Sequence, residues 1–258
     1  MSRLLRADFY RMYGKKCFWM FAGAMAAAVF MFIGMQYTAM DYQVGLDRVI
    51  FLPMSFYGVI VSAMISLFIG DDFSDGVIRN KLIAGRRKKE VYLSNFIVTQ
   101  TACVAVYVGM TAMTVGIGIH LFENNVLVNE FLVYFLLGLL TCLAFGSIFC
   151  MFSMLIGNKS TAVMVSMGIA FFMLFLCLHT NQILVQTEYK NGVLNPHFIS
   201  GIRRIVYELL HDINPTGQAA QLSAMNYLNP IRWIFCDVLW IVLGVGAGSF
   251  VFERKDIK

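Results

Sequence analysis

One acidic side chain lies inside a long apolar run: Asp237, in NPIRWIFCDVLWIVLGVGAGSF. A carboxylate at membrane depth costs roughly 2.5–3.5 kcal/mol to insert, so such residues mark ion, proton or substrate sites by default. Asp237 stands about two turns in from Pro230, toward the outer end of its run, within reach of Arg232 or water; a structural role is as open as a functional one. The second candidate is the segment DDFSDGVIRNKLIAGRRKKEVYLSN, residues 71–95, which carries six Lys or Arg and four Asp or Glu between two apolar stretches. A third set, Gln36, Tyr37, Ser55, Tyr57 and Ser62, offers hydroxyl and amide groups either to a path between the first, second and fifth apolar runs or to bonds between packed helices.

Other chemistry is missing from the sequence. No G-x-x-x-x-G-K-[ST] occurs, and Gly157-Asn-Lys-Ser lacks the adjacent Gly-Lys and the preceding strand that a phosphate loop needs. There is no H-E-x-x-H and no G-x-S-x-G. The four histidines, His120, His179, His197 and His211, are scattered, which argues against a metal centre. The six cysteines lie in or beside apolar runs without metal-ligand spacing, as small lipid- or core-facing side chains.

The elements that position these residues follow from composition. Of 258 residues 59% are apolar, and mean hydropathy is +0.71; soluble domains hold nearer ~45–50%. The fold class is therefore all-α: a polytopic membrane protein, one transmembrane domain over 1–258. Six spans are expected at 17–37, 49–70, 96–122, 131–157, 161–179 and 231–252, since about twenty residues at ~1.5 Å each cross the ~30 Å hydrocarbon core. The first is read as a retained span and not a cleaved leader, because its apolar run continues past the Ala-rich stretch. With the amino terminus inside, fifteen of the twenty Lys and Arg fall on inner segments, while acidic residues divide evenly. That bias places both termini in the cytoplasm and 71–95 in a cytoplasmic loop, and it explains the +5 net charge without nucleic acid as a partner.

Three pieces do not span. SRLLRADFYRMYG, residues 2–14, places Leu5, Phe9, Met12 and Tyr13 on one face, as in a basic amphipathic helix lying in the inner interface; a disordered basic leader is the alternative. In the loop, Ser74 or Asp75 can cap a short helix that Gly85 stops, with Val77, Ile78, Leu82 and Ile83 as its apolar side. Such a helix suits docking to a cytoplasmic partner, and the alternative is a solvated loop meeting anionic headgroups. The external segment 180–230 carries a stripe, Phe198, Ile202, Ile205, Val206, Leu209, Leu210 and Ile213, bounded by Pro196 and Asn214-Pro215. That stripe must enter the outer leaflet or pack on the spans, as a lid or a re-entrant hairpin. Trp19 and Trp233 are expected as interfacial anchors. Gly244/Gly248, Ala22/Ala26 and Gly23/Ala27 are expected as close packing faces.

LLRADFYRM before a span, FSDGVIRNKLIAGRRKKEVYLSN, NPTGQ before the last span and a terminal FERKDIK together resemble type-2 ABC transporter permeases, most of all small six-span subunits of lantibiotic or bacitracin immunity. The likeness covers essentially the whole chain, although the external segment is long for the pattern. It implies an elbow helix at 2–14 and external re-entrant elements. It also implies a coupling helix within 74–85, formed by Asp75, Gly76, Val77, Ile78, Arg79, Asn80, Lys81, Leu82, Ile83, Gly85 and Arg86, that contacts a separate ATPase dimer. This chain then carries no cofactor and no enzymatic activity, and ATP and Mg sit on the partner. A second permease chain, identical or related, completes the path in a bacterial cytoplasmic membrane, for export of a peptide antibiotic, a lipid-linked or another amphipathic substrate. The alternative is a transporter driven by an ion gradient, for which Asp237 is the only supporting residue and an internal repeat is lacking.

Overall fold

A computed structural model of the chain describes residues 1–39, 45–123, 126–190, 193–196 and 198–256. His197 and the last two residues of FERKDIK, 257–258, lie outside the described residues. Ten α-helices are described: α1 (Ser2–Gly14), α2 (Lys16–Ala39), α3 (Met54–Ser74), α4 (Val77–Ile83), α5 (Lys88–Leu121), α6 (Val128–Ile156), α7 (Lys159–Leu184), α8 (Ile202–Ile213), α9 (Pro215–Ser223) and α10 (Pro230–Arg254). Six of them, α2, α3, α5, α6, α7 and α10, are long and apolar enough to cross a membrane and coincide with the six expected spans.

The span ends differ where apolarity and helicity part company. The second span was expected from 49, but Leu46–Arg48 is a 3-10 turn and the helix starts only after Pro53, whose fixed φ suits a helix start. The third begins at Lys88 rather than 96, because its first two turns are charged and helical at once. The fifth runs on to Leu184 rather than 179, so the segment between α7 and α10 starts at 185. Asparagine and proline set the other starts. Asn158, Asn214 and Asn229 each accept a bond from a backbone N–H in the first turn of α7, α9 and α10, and Pro215 and Pro230 occupy the first turns of the last two. The Gly157-Asn-Lys-Ser sequence is thereby a helix-to-helix turn.

Helix α6 lies at the centre, packed along α10, α3 and α5, while α3 also packs on α7. Close approach depends on Gly244 and Gly248 of α10. A Cβ on Gly244 would collide with Ser147, and one on Gly248 would collide with the Tyr92 ring, whose hydroxyl donates to the Gly244 carbonyl at 2.5 Å. This pair packs as expected. Gly23 and Ala27 do not: a Cβ on Gly23 meets nothing within 4 Å and Ala27 is exposed, while Ala22 and Ala26 line a groove. Trp19 is 64% exposed near the start of α2, but Trp233 is fully buried and not an anchor at the surface. It packs inside because α10 turns that face toward α6, where a hydroxyl awaits its N–H.

One end of the bundle gathers both chain termini. There α1 and α4 pack on α5, the α6–α7 turn meets the carboxyl end of α3 through Lys159 and Asp71 at 2.7 Å, and Lys88 donates to the carbonyls of Glu253 and Lys255 that close α10. At the far end, α8 and α9 form the accessory element between α7 and α10. The stripe on α8 stays outside the bundle: Ile202 is 81% exposed, and Ile205, Val206 and Leu209 are exposed with it. Its polar side turns inward, with His211 and Asp212 buried. Of the two expectations for the stripe, packing of Ile202, Ile205, Val206 and Leu209 on the spans is therefore not seen among the described residues.

Candidate functional site

The densest charge cluster is built around a residue that sequence reading passed over. The buried stripe of α1 is Leu4, Asp8 and Met12, not the expected Leu5, Phe9, Met12 and Tyr13, of which all but Met12 are only partly buried beside it. Asp8, fully buried, accepts from Ser94 Oγ at 2.6 Å, from Arg11 at 3.0 Å and from Lys81 Nζ at 2.8 Å. Arg11 also reaches Asp72 at 2.5 Å, and Lys15 pairs with Asp71 at 3.3 Å and Asp72 at 3.6 Å. Four helices, α1, α3, α4 and α5, are thus tied together at one charged point, and Lys159 brings in α7. Burial pulls the Lys81 ammonium below the usual lysine range, with the Asp8 carboxylate working against that shift.

This cluster fixes which way α4 faces. The short helix spans Val77–Ile83 and not 74–85. Ser74 ends α3, and the N-cap is Gly76 at φ +67, so neither Ser74 nor Asp75 caps it. A residue with a Cβ would be strained there. Gly85 follows the C-cap at φ +82, a stop of the expected type. Ile78 is fully buried in the chain's own core, with Val77 and Leu82 partly buried, because the Lys81–Asp8 pair draws that side onto α1 and α5. The side left to the surroundings is Arg79, Asn80 and Ile83, the last 73% exposed, with Asp75 and Gly85 exposed at the ends and Arg86 half-buried. Of the expected apolar side, Val77, Ile78, Leu82 and Ile83, only Ile83 is exposed, and Lys81 pairs inside the chain with Asp8 and is not a rim cation.

Asp237 is also fully buried, but Arg232 does not satisfy it. Arg232 turns to Asp212 and Glu208 on α8. Asp237 instead faces Thr141 Oγ of α6 at 3.3 Å, and that one hydroxyl also faces Gln218 Oε1 at 3.1 Å and the Leu137 carbonyl at 3.2 Å while accepting the Trp233 N–H at 2.8 Å. A hydroxyl carries a single proton, so three acceptors compete for it. The second Asp237 oxygen, Oδ1, has no hydrogen-bond partner among the described residues.

No family model and no curated protein matches this sequence.

The proposed path residues do not come together. Tyr57 is buried, its hydroxyl 2.8 Å from both the Cys103 carbonyl and Cys142 Sγ. Ser62 donates to the Val59 carbonyl, and Ser55 meets Ser223 of α9 at 3.1 Å. Tyr57 and Ser55 thus bond between helices, and Ser62 bonds within α3 and to Met167 Sδ of α7 at 3.3 Å. Gln36 is half-buried and Tyr37 exposed near the far end of α2, away from Asp237. Among the described residues no three His, Cys, Asp or Glu side chains gather at a metal-ligand site.

At the far end, Thr180 of α7 lies 2.8 Å from His211 Nδ1, and Asp212 next to it accepts from Arg232 and from Gln221 Nε2. Burial lowers the His211 pKa, more than the neighbouring Asp212 raises it. A histidine lowered in the folded state takes up protons preferentially on unfolding. Stability is therefore full above the ordinary value of about 6.5 and declines as pH falls from there toward the folded value. Thermal unfolding of the purified protein is expected at lower temperature in mildly acidic buffer, and His211→Gln should flatten that dependence. A parent and a His211→Gln protein with the same pH slope would remove His211 from the account.

Proposed function

We propose that this chain is the membrane-spanning subunit of an ATP-driven exporter, anchored by α4 to a separate ATPase dimer. The observation that carries this reading is the two-sided mounting of α4. One side is bolted through Ile78 and the Lys81–Asp8 pair to helices that continue into the spans, and the other side, Arg79, Asn80 and Ile83, is free. A helix mounted in this way passes a push on its free side into α1, α3 and α5 together, as a two-state transporter requires. The likeness to type-2 ABC permeases supports the same assignment. With that reading go ATP and Mg on the partner, a second permease chain alongside in a bacterial membrane and, from the bias of Lys and Arg, both termini in the cytoplasm. A peptide antibiotic or another amphipathic molecule suits a path bounded by such apolar spans.

The rival reading, transport driven by an ion gradient, is favoured by one observation, the unpartnered oxygen of Asp237. Purification from native membranes separates the two. The complex is expected to hydrolyse ATP, and Ile83→Asp combined with Arg79→Glu should weaken ATPase recovery roughly 30-fold, the equivalent of about 2 kcal/mol at a contact centre. Substitution of Glu90, in the first turn of α5 and outside α4, should leave recovery unchanged. Gradient-driven uptake into vesicles without ATP would sink the exporter reading.

A further inference from the structure

A groove of about 310 Å³ opens between α2 and α5, walled by Trp19, Ala22 and Ala26 on one side and Ala105, Gly109 and Met113 on the other. Its walls are small by sequence: a Cβ added to Gly109 would meet nothing within 4 Å. The spacing 19, 22, 26 keeps one face of α2, and 105, 109, 113 keeps one face of α5. Lys16 stands one turn before Trp19 on the same face, exposed at the mouth. From Lys16 to Ala26 the rise is about 15 Å, half of the ~30 Å hydrocarbon core, so the groove is as deep as one leaflet.

The mouth is built as well as the walls. Trp19 Nε1 donates to the Tyr13 carbonyl at 2.9 Å, which fixes the indole across the α1–α2 corner, and Phe18 meets it edge-on at 5.3 Å. Tyr13 lines the groove and ends a stripe on α1 that runs Arg3, Arg6, Tyr10, Tyr13. Arg3, Arg6 and Lys16 are exposed, and none is in an ion pair with another described residue, unlike Arg11 and Lys15 of the same corner.

We infer that this groove holds an acyl chain of an anionic phospholipid from the leaflet on the amino-terminal side, with its phosphate headgroup against Lys16 and Arg6. The wall chemistry accepts hydrocarbon, the depth fits one leaflet, and Lys16 and Arg6, neither in an ion pair with another described residue, complement an anionic head in the way basic sites between spanning helices do. The inference is independent of the transport reading.

The test is quenching of Trp19 by phospholipids with dibrominated chains, taken as the difference between the parent protein and Trp19→Phe, both as the full complex in vesicles. Dibrominated phosphatidylglycerol should quench at a mole fraction at least about fivefold lower than dibrominated phosphatidylcholine, the effect of roughly one cation–headgroup contact. Lys16→Gln with Arg6→Gln should abolish that preference while quenching itself remains. Gly109→Leu should also abolish it by filling the groove, and Ala26→Leu does the same from the other wall if the first variant folds poorly. Equal quenching by the two lipids in the parent protein, or a preference that survives both filling variants, would show ordinary boundary lipid only and overturn the assignment. An unquenched Trp19 together with disulfide cross-linking of Ala22→Cys between copies would overturn it in favour of a second chain.

Discussion

Replacing Asp8 with alanine is expected to destabilise the protein by about 3–5 kcal/mol, the range for removing one partner of a buried ion pair. The carboxylate is fully buried and is the shared acceptor for Lys81, Arg11 and Ser94. Arg11 keeps Asp72, but Lys81 has no second carboxylate in bonding range among the described residues and only a tenth of its side chain reaches solvent. Without Asp8 the Lys81 ammonium is a charge in a poorly solvated place. Because burial already holds its pKa below the usual lysine range, the unfolded chain binds more protons than the folded one between the two values, and stability rises with pH there. The deficit of Asp8→Ala should therefore shrink as pH rises toward the ordinary lysine value of about 10.4, whereas a deficit caused by a simple cavity would not change. Asp8→Leu paired with Lys81→Met removes both charges and should recover most of the loss. A single variant that unfolds within about 1 kcal/mol of the parent would show that the cluster does not hold these helices.

Trp233→Ala should cost about 3 kcal/mol, the low end for a buried tryptophan, because the surroundings of the spans are themselves apolar and the loss is one of packing and bonding rather than transfer from water. Trp233 is fully buried between α10 and α6, and its N–H is the donor into the Thr141 hydroxyl. Removing it empties the largest fully buried side chain and takes a donor from a cluster already short of protons. The contrast is Asp237→Asn. It adds a donor where three acceptors share one hydroxyl proton, and so should leave stability equal or raise it by about 1 kcal/mol. Thermal unfolding of the two variants in one detergent tests both. If Asp237→Asn unfolds well below the parent, the cluster has protons that the count of donors misses. Transport lost in a stable Asp237→Asn protein would give the carboxylate a role in the path.

The sequence makes the spans legible and hides their orientation about their own axes. In water, an apolar stripe tells which face turns inward. In lipid it does not, since hydrocarbon outside is as apolar as the core. Ile78 and Ile83 look equivalent on paper, and only the Lys81–Asp8 pair decides that the first is buried and the second exposed. The signal for Asp8 was present: a carboxylate between Leu4 and Met12 on one stripe of a basic helix has to meet a cation. Trp233 shows the same limit, since a tryptophan four residues into a span reads as an anchor until a hydroxyl on another helix is known to face it. Helix α9 escaped notice because NPTGQAAQLS is too short and too polar for either a span or an amphipathic pattern, although Asn214 and Pro215 mark its start.

The polar side of α8 has a consequence for the order in which the molecule is made. Asp212 finds its cation on Arg232, Glu208 shares Arg232 with Arg204 of α8 itself, and the carbonyl of Ile213 finds its donor on Trp240, so Asp212 and that carbonyl depend on α10. A chain emerging from its amino terminus exposes α8 before α10 exists. Until α10 is in place Asp212 therefore lacks its cation, although Gln221 of α9 can still donate to it, whereas Glu208 keeps Arg204 one turn away on α8. Any ribosome-bound chain halted before residue 230 should leave this element more open to labelling, and completion of α10 should close it.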